Sequence, residues 1–512
     1  MKLTKIALAV ATLLASTQAF AVPVTAAQIS AAQTAGTLQQ AWISGASAPT
    51  KSVYEGWVGS GAGVGCDATT NAIFTTQALT SSNVTPGSLG NFTAYACTRA
   101  GVVSVLYHTL DGGSLNAFTP HTVGTKLARV KFAGTGNGCT GSLNYVDATN
   151  ADNNATVNKG CTLVGVALPA NAIATPATNA TNAAAVAADP LAPQLPVGGI
   201  SDVEGSLFPA AIGGGDVSSA GTDSAVGIGQ VFGVVTSVPL YRAMQMAQEF
   251  FPLGTDFDTD GTGPDTGADG TFAAASAPSI SKAQYTSIIA SGGTFQTDWS
   301  PIVGAAGTGK KVILARRVQT SGSQASSNAF FLSNPCASGL QASYPPLTAA
   351  ESTPSIEVFE GSGTGNVKTR ITTATNAAPA TNQEFAIGVI SAENDWRVES
   401  ATGGQNGYRF IKVEGVHPET GDTANARVTA TNAAYPFHIE AHSFVANSAT
   451  GFGAAVVGQI TAALVNPPAT SCAVLPRGLT ISPLAGSACT VGVQVAKGTN
   501  QGNNCAPVLL TQ

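Results

Sequence analysis

Charged residues are scarce in this sequence. Asp, Glu, Lys and Arg make up only 10% of its 512 residues, whereas an ordinary globular domain has roughly 25%. The surface must therefore be covered mainly by Ser, Thr, Asn, Gln and Gly. The 28 acidic residues outnumber the 22 basic ones, and the formal net charge is −6. We expect no nucleic acid among its partners, because a protein that binds nucleic acid presents a basic surface to the phosphates.

Long apolar runs are lacking after the first 21 residues. Those residues, MKLTKIALAVATLLASTQAFA, combine two lysines, an apolar run and a small-residue end, which is typical of a cleaved secretory signal peptide. No later run approaches the ~20 apolar residues that a membrane-spanning helix needs. We therefore expect a soluble protein that is periplasmic or secreted.

Familiar catalytic motifs are absent as well. The sequence contains neither a G-x-S-x-G nucleophile elbow nor an H-E-x-x-H metal helix. No nucleophile stands at a recognisable spacing from a base. We therefore expect a binding or structural protein and not an enzyme.

Cysteine, in contrast, is well represented. All eight cysteines follow the predicted signal peptide, and an even number in an exported chain favours disulfides over metal thiolates. Cys66 with Cys97 and Cys139 with Cys161 are the predicted local pairs. Cys336 is expected to pair with one of the last three cysteines, and the sequence leaves open which one.

Apolar segments typical of buried strands alternate with helix-like segments over most of the chain. The strand candidates are residues 41–45, 102–108, 231–238, 312–315 and 385–390. This alternation predicts an α/β fold, in which ligands bind outside the carboxyl ends of the strands. Residues 119–196, which include an Ala/Thr/Asn/Pro-rich stretch, are predicted to be an insertion.

The segment at residues 311–331, KVILARRVQTSGSQASSNAFF, carries the strongest signal for a ligand site. It reads as a buried strand, a polar turn and a helix. A helix N terminus offers unpaired N–H groups to an anion, Ser321 and Ser323 add hydroxyl donors, and Gly322 permits close approach. Arg317 can bind an oxyanion through two parallel hydrogen bonds. An ordinary strand-to-helix turn with a serine cap fits the same pattern.

Three more polar residues stand at the ends of predicted strands. Ser47 follows the first strand, Ser114 follows the second after two glycines, and Asp202 ends a short strand near residue 200. Ser114 also reads as a helix N-cap, and a cap or turn explains each residue taken alone. Their recurrence at strand ends favours a shared ligand site.

An acidic loop matches part of a calcium-binding motif. Asp256, Asp258 and Asp260 occupy the first three ligand positions, but Gly267 replaces the glutamate that completes such a loop. Calcium binding and a solvated acidic loop are the two interpretations.

A second pattern also fits metal ligands. His438, Glu440 and His442 alternate along a predicted strand, so that all three side chains share one face. They read either as metal ligands or as an ordinary polar face.

The motifs in this order resemble the phosphate-binding protein of the phosphate ABC transporter, which has the type II periplasmic solute-binding fold. The matching motifs are G-A-S-A-P at 45–49, G-G-S at 112–114, I-S-D at 200–202 and R-x-x-x-S-G-S at 317–323. The resemblance implies two α/β lobes with a ligand cleft between them. The implied divisions are 22–233 with the insertion and 391–512 with the Cys-rich tail for lobe I, and 234–390 for lobe II, with crossovers near 232–238 and 386–391.

The resemblance also implies a ligand and its contacts. One phosphate or related oxyanion would be held by Ser47, the Ala48 N–H, Ser114, Asp202, Arg317, Ser321, the Gly322 N–H and Ser323. Asp202 would accept the proton of monohydrogen phosphate and repel sulfate. Ala48 stands where this family has a bulky aromatic residue, which would leave the cleft more open. An inner-membrane ABC permease is the implied partner.

A second class of function fits the same sequence. A secreted surface or extracellular interaction protein would keep the binding fold without a transport role. Ligand-dependent stability separates the two, because a binder gains about 2.7 kcal/mol at a ligand concentration one hundred times its dissociation constant.

Overall fold

The computed structural model describes most of the chain. The described residues are 22–59, 65–79, 89–132, 138–147, 151–161, 163–165, 193, 195–251, 273–292, 297–336, 343–376, 382–397, 407–419, 426–465, 472 and 475–511. The predicted signal peptide and the predicted calcium ligands Asp256, Asp258 and Asp260 lie outside the described residues.

Strands and helices alternate along the chain. The strands are β1 Gln39–Gly45, β2 Ala72–Thr75, β3 Phe92–Arg99, β4 Val102–Thr109, β5 Ala128–Val130, β6 Gly141–Tyr145, β7 Ala155–Lys159, β8 Leu163–Gly165, β9 Gly198–Ser201, β10 Gly221–Ser237, β11 Ser279–Ile280, β12 Val312–Arg317, β13 Ile356–Gly361, β14 Ala386–Ser391, β15 Tyr408–Phe410, β16 Lys412–Val413, β17 His438–Ala446, β18 Leu479–Ile481, β19 Gly498–Thr499 and β20 Leu509–Leu510. The helices are α1 Ala26–Ala35, α2 Thr50–Val58, α3 Thr119–Thr122, α4 Val238–Ala247, α5 Lys282–Ile289, α6 Ser300–Val303, α7 Gly322–Leu332, α8 Thr364–Asn376, α9 Val428–Thr431 and α10 Gly451–Val465.

A fourteen-stranded mixed sheet is the frame of the protein. Its main order is β13-β12-β14-β10-β17-β9-β1-β4-β3-β2-β7-β6, and β15 and β18 also pair with β10. The predicted α/β class is confirmed in this mixed form. Strands β6 and β7, which come from the predicted insertion at 119–196, extend the edge of the sheet.

Strand β10 joins the two halves of the sheet. Its residues 221–231 pair antiparallel with β17, and its residues 232–236 pair antiparallel with β14. The predicted strand at 231–238 is thus the second half of a longer strand. The register with β17 shifts between Ala225 and Gly229, and such a bulge bends a strand locally. One strand therefore holds both groups of neighbours in register.

Apolar side chains from both halves pack against the sheet. One cluster surrounds β10, β12 and β14 and includes Val235, Leu314 and Ile387. Another includes Trp57 of α2 and Ile460 of α10, which pack on the face of the sheet near β1. Burying an aliphatic or aromatic side chain of this kind contributes roughly 1.5–3 kcal/mol. These clusters hold the strand ends from which the polar loops project.

Four disulfides cross-link the described residues. The predicted pairs Cys66–Cys97 and Cys139–Cys161 are confirmed. Cys336 pairs with Cys505, which joins the segment after α7 to the C-terminal tail, and Cys472 pairs with Cys489. Disulfides are typical of proteins from oxidising compartments. No helix in the described ranges has both the length and the apolar character required to cross a membrane.

Candidate functional site

Two groups of parallel strands end where the predicted ligand residues lie. Strand β1 is parallel to its neighbours β4 and β9, and β12 is parallel to its neighbours β13 and β14. The last residues of these strands are Gly45, Thr109, Ser201, Arg317, Gly361 and Ser391. Within each group, the parallel strands place their carboxyl ends together. The two groups run in opposite directions, because the strands between them pair antiparallel, and their carboxyl ends face each other near the middle of β10. The loops that follow the strands of both groups can therefore contribute to a common site.

Ser114, in the loop after β4, and Asp202, directly after β9, form a buried pair. Ser114 Oγ donates a hydrogen bond to Asp202 Oδ2 over 2.8 Å, and the two residues are 2% and 8% exposed. The predicted helix N-cap role of Ser114 is wrong, because Ser114 begins a short 3₁₀ turn and its hydroxyl caps no helix. Asp202 Oδ1 is buried and finds no hydrogen-bond partner in the described part of the chain.

The N terminus of α7 packs directly against this pair. A Cβ added to Gly322 would lie 2.4 Å from Asp202 Oδ2 and 2.5 Å from Ser114 Oγ, so only glycine permits this approach. The backbone N–H of Leu115 also donates to the carbonyl of Thr320 over 3.1 Å. The loops after β4, β9 and β12 therefore meet at one point.

The first turn of α7 presents donors that the protein itself leaves unused. Ser321 and Ser323 are 2% and 7% exposed, yet neither hydroxyl forms a hydrogen bond to another described residue. Within the described ranges, the backbone N–H groups of Gly322 and Ser323 also have no acceptor. Unpaired N–H groups at a helix N terminus are suited to binding an anion.

Arg317 is held in place by the loop between β13 and α8. Its Nη1 donates to Thr364 Oγ1 and its Nη2 to the carbonyl of Ser362, each over 2.9 Å. Its Nε donates to the carbonyl of Gly361 over 3.3 Å. These contacts use three of the five N–H donors of the guanidinium and fix its orientation. The Gly-rich loop at 361–364 thus positions the one arginine that the sequence placed in the site.

The charges of Asp202 and Arg317 act on each other. Burial raises the pKa of Asp202, while the hydrogen bond from Ser114 and the charge of Arg317 oppose that rise. Burial lowers the pKa of Arg317, and the charge of Asp202 opposes that fall. No salt bridge joins the two side chains within the described residues; Arg317 makes its contacts with the 361–364 loop instead. The site therefore combines the Arg317 cation with the Asp202 carboxylate, whose Oδ1 accepts no hydrogen bond from the described residues.

Ser47 and Ala48 lie in the loop after β1, beside this group. Ser47 is exposed and Ala48 is partly buried, and their neighbour Ala46 donates its N–H to the carbonyl of Ile200 over 2.6 Å. No hydrogen bond within the described ranges joins Ser47 to Asp202, Ser114 or Arg317. The structure thus links Ser47 and Ala48 less directly to the site than the other six predicted residues. Those six are Ser114, Asp202, Arg317, Ser321, Gly322 and Ser323.

Two polar residues near the site were missed by the sequence analysis. Glu393 follows the carboxyl end of β14 and accepts a hydrogen bond from Ser391 Oγ over 3.0 Å. Gln230 lies in the middle of β10, is 3% exposed, and hydrogen-bonds to Glu393. The rule that identified Asp202, a polar residue just after a buried strand, would also have found Glu393.

The polar face of β17 binds other parts of the protein. His442 Nδ1 lies 2.8 Å from Asp223 Oδ1 and its Nε2 lies 3.6 Å from Glu204 Oε2. Glu440 accepts hydrogen bonds from Ser482 Oγ and the Gly502 N–H.

His438, on the same face, lies within hydrogen-bonding distance of Thr480 Oγ1. This face therefore anchors the C-terminal tail. Across the described residues, no three His, Cys, Asp or Glu side chains are grouped to hold a metal ion.

Comparisons with known proteins give a partial likeness only. No protein-family model matches the chain, and no curated protein matches it either. One similar solved structure is a possible phosphate binding protein from Planctomyces limnophilus DSM 3776, with 10% identity over 45% of this chain and 57% of that chain and a TM-score of 0.25. Another is an ABC-type phosphate transport receptor from Vibrio cholerae, with 13% identity over 47% of this chain and 66% of that chain and a TM-score of 0.24.

The alignment thus spans less than two thirds of either neighbour. A likeness of this size does not establish a family.

Proposed function

We propose that this protein is an exported solute-binding protein that captures inorganic phosphate or a related tetrahedral oxyanion. The observation that carries the proposal is the contact between Gly322 at the N terminus of α7 and the buried Ser114–Asp202 pair. It joins unpaired N–H donors, serine hydroxyls and an acidic acceptor in a single site beside Arg317. This combination suits an anion that carries both oxygen acceptors and a hydroxyl group.

Each group has a distinct part in the proposed binding. The N–H groups of Gly322 and Ser323, with the hydroxyl of Ser321, donate to the anion oxygens. Arg317 supplies the compensating charge, and burial strengthens its attraction to an anion. Asp202 Oδ1, which is buried without a partner among the described residues, accepts the hydroxyl of a protonated oxyanion. Sulfate brings no such hydroxyl at neutral pH, so Asp202 would disfavour it.

Further elements of the proposal concern the whole protein. We infer that the anion lies in a cleft between two lobes joined through β10 and β14, and that Ser47 and the Ala48 N–H approach it from the loop after β1. We also infer binding without catalysis, and delivery of the anion to an inner-membrane ABC permease.

Calorimetry with the Arg317→Ala variant tests the central claim. Removing the guanidinium leaves buried anion charge without compensation, and we expect phosphate binding to be lost while the fold is retained. Lys311→Ala is the matched control, because it also removes one positive charge, but at the surface pair with Glu357 before the amino end of β12. Unchanged phosphate affinity in Arg317→Ala would contradict the proposed site.

The Asp202→Asn variant tests the acidic acceptor. An amide can donate to a fully deprotonated oxygen, so we expect the preference for phosphate over sulfate to shrink. Asp216→Asn is the control, since Asp216 is exposed and carries the same charge. An unaltered preference would remove Asp202 from the recognition of the anion.

A thermal melt of the wild-type protein separates binding from the alternative function. Saturating phosphate should raise the melting temperature, because a ligand that binds only the folded state stabilises it. No response to phosphate, arsenate or sulfate would instead favour a surface or interaction protein.

A further inference from the structure

Glu393 is a second acidic residue among the loops near the middle of β10, where the proposed anion site lies. It stands two residues after the end of β14, whose Gly388 is paired with Ala315 of β12. That register puts Ser391 level with the turn that follows Arg317. Glu393 therefore belongs to the same set of strand-end loops as Asp202 and Arg317.

Unpartnered acceptors mark the space around Glu393. Gln230 Oε1 is buried on β10 and has no hydrogen-bond partner in the described residues, and the same holds for Asp202 Oδ1. Gln230 and Asp202 are 97% and 92% buried. A buried acceptor without a donor is costly, roughly 1–3 kcal/mol. A ligand with hydrogen-bond donors of its own would satisfy these two atoms and the Glu393 carboxyl group.

Some groups around Glu393 raise the pKa of its carboxyl group and others lower it. Burial raises the pKa of Glu393 to about 7, and the charge of Asp202 raises it further, against hydrogen bonds from Ser391 and Gln230 and the charge of Lys368. Lys368 Nζ donates to Asn394 Oδ1 over 2.8 Å.

From the segment before β18, Arg477 Nη1 donates to the carbonyls of Ala392 and Asn394 over 2.6 and 2.8 Å. Two cations thus flank the loop that carries Glu393, and Asp202 is the carboxylate that opposes its ionisation.

We propose that Glu393 and the bound oxyanion share one proton, so that the site holds an anion with two ionisable hydrogens, one facing Asp202 and one facing Glu393. This rests on the proposed function and specifies its ligand as a tetrahedral oxyanion in its doubly protonated form, of which dihydrogen phosphate is the simplest example. The composition is the same whether an ionised Glu393 meets dihydrogen phosphate or a protonated Glu393 meets monohydrogen phosphate. In either case the complex contains one proton more than monohydrogen phosphate and a carboxylate.

The shared proton makes affinity depend on pH. Above neutral pH both free partners have lost it, so binding must take up a proton from solution. By linkage, the association constant then falls about tenfold for each pH unit. Glu393→Gln removes that requirement, because the amide can donate to an oxygen of monohydrogen phosphate without a proton from solution.

Calorimetry in two buffers of different ionisation enthalpy counts the protons directly. The wild-type protein titrated with inorganic phosphate above neutral pH should take up close to one proton more per anion than Glu393→Gln. The variant should also lose most of the tenfold-per-unit decline between about pH 7 and pH 9. Glu384→Gln is the matched control, since Glu384 stands at the opposite end of β14 in a salt bridge with Arg370.

The outcomes separate this inference from the proposed function. Phosphate binding with equal proton uptake in wild type and Glu393→Gln would overturn the shared proton and leave the anion site intact. No phosphate binding by the wild-type protein at any pH would overturn both. Should Glu393→Gln fail to fold, Ser391→Ala keeps the carboxyl group and removes one hydrogen bond that lowers its pKa. Because free Glu393 then keeps its proton to higher pH, proton uptake on binding should begin at a higher pH than in the wild type, and an unchanged starting pH would count against the inference.

Discussion

The contact between Gly322 and the Ser114–Asp202 pair can be tested by adding one methyl group. Gly322→Ala keeps a helical backbone that alanine adopts readily. Its Cβ, however, would lie 2.4 Å from Asp202 Oδ2, 2.5 Å from Ser114 Oγ and 2.6 Å from Asp202 Cβ. Such distances are far inside van der Waals contact, so either α7 or the loop after β9 must move.

The expected size of the effect follows from two opposing terms. Overpacking a buried contact costs about 1–3 kcal/mol, and replacing glycine by alanine in a helix returns up to about 1 kcal/mol. We expect a net loss of stability of roughly 1–2 kcal/mol. Displacing the donors of α7 also weakens at least one hydrogen bond to a charged ligand, which is worth about 1.5–3 kcal/mol. Phosphate affinity should therefore fall roughly 10- to 100-fold.

Chemical denaturation and phosphate titration measure the two effects separately. Gly458→Ala is the control, because Gly458 lies inside α10 and no atom is within 4 Å of the position that its Cβ would take. That variant should gain up to about 1 kcal/mol and bind phosphate as before. If Gly322→Ala matches this control in both stability and affinity, α7 does not approach Asp202 as described.

Two further predictions concern the C-terminal tail. Removing the Cys336–Cys505 bond by a double serine substitution should lower stability by about 5 kcal/mol, against about 3 kcal/mol for Cys472–Cys489, because the loops that they close span 169 and 17 residues; equal losses in non-reducing denaturation would refute the loop-length argument. Burial alone would lower the pKa of His442, but Asp223 and Glu204 raise it overall. The stability that protonated His442 contributes to the fold is therefore complete below the pKa of about 6.5 that histidine has in the unfolded chain. It is lost as the pH rises through the pKa of His442 in the folded protein. The stability difference between wild type and His442→Gln should accordingly shrink at alkaline pH, and a constant difference would exclude this role.

Sequence patterns predicted the elements whose conformation depends mainly on residues close together in the chain. The strand, turn and helix at 312–332 follow from an apolar run, a polar turn and a helix-forming segment, and all three are present. Helix α1 ends at Ala35, because Gly36 adopts the left-handed conformation with φ 71°. Gln39 and Gln40 then begin β1.

The features that sequence patterns did not predict depend on contacts between residues far apart in the chain. The hydroxyl of Ser114 was expected to cap its own helix, but it bonds to Asp202, 88 residues away. The first half of β10 has no apolar run, and it is a strand because β17 supplies its hydrogen bonds. Gln230 precedes the predicted strand at 231–238, and its proximity to Glu393 depends on how β10 and β14 are paired.

The covalent link between Cys336 and Cys505 also sets when the protein can finish folding. Cys505 follows Cys336 by 169 residues, and β17, which lies between β9 and β10, is synthesised after both of them. The helix that carries the proposed anion donors can therefore be covalently linked to the tail only after the chain has been synthesised as far as Cys505. Partly made chains would expose unpaired edges of β9 and β10, and such edges are prone to aggregate. Efficient folding of this protein should thus depend on chaperones that bind those edges until β17 has paired and the Cys336–Cys505 disulfide has formed.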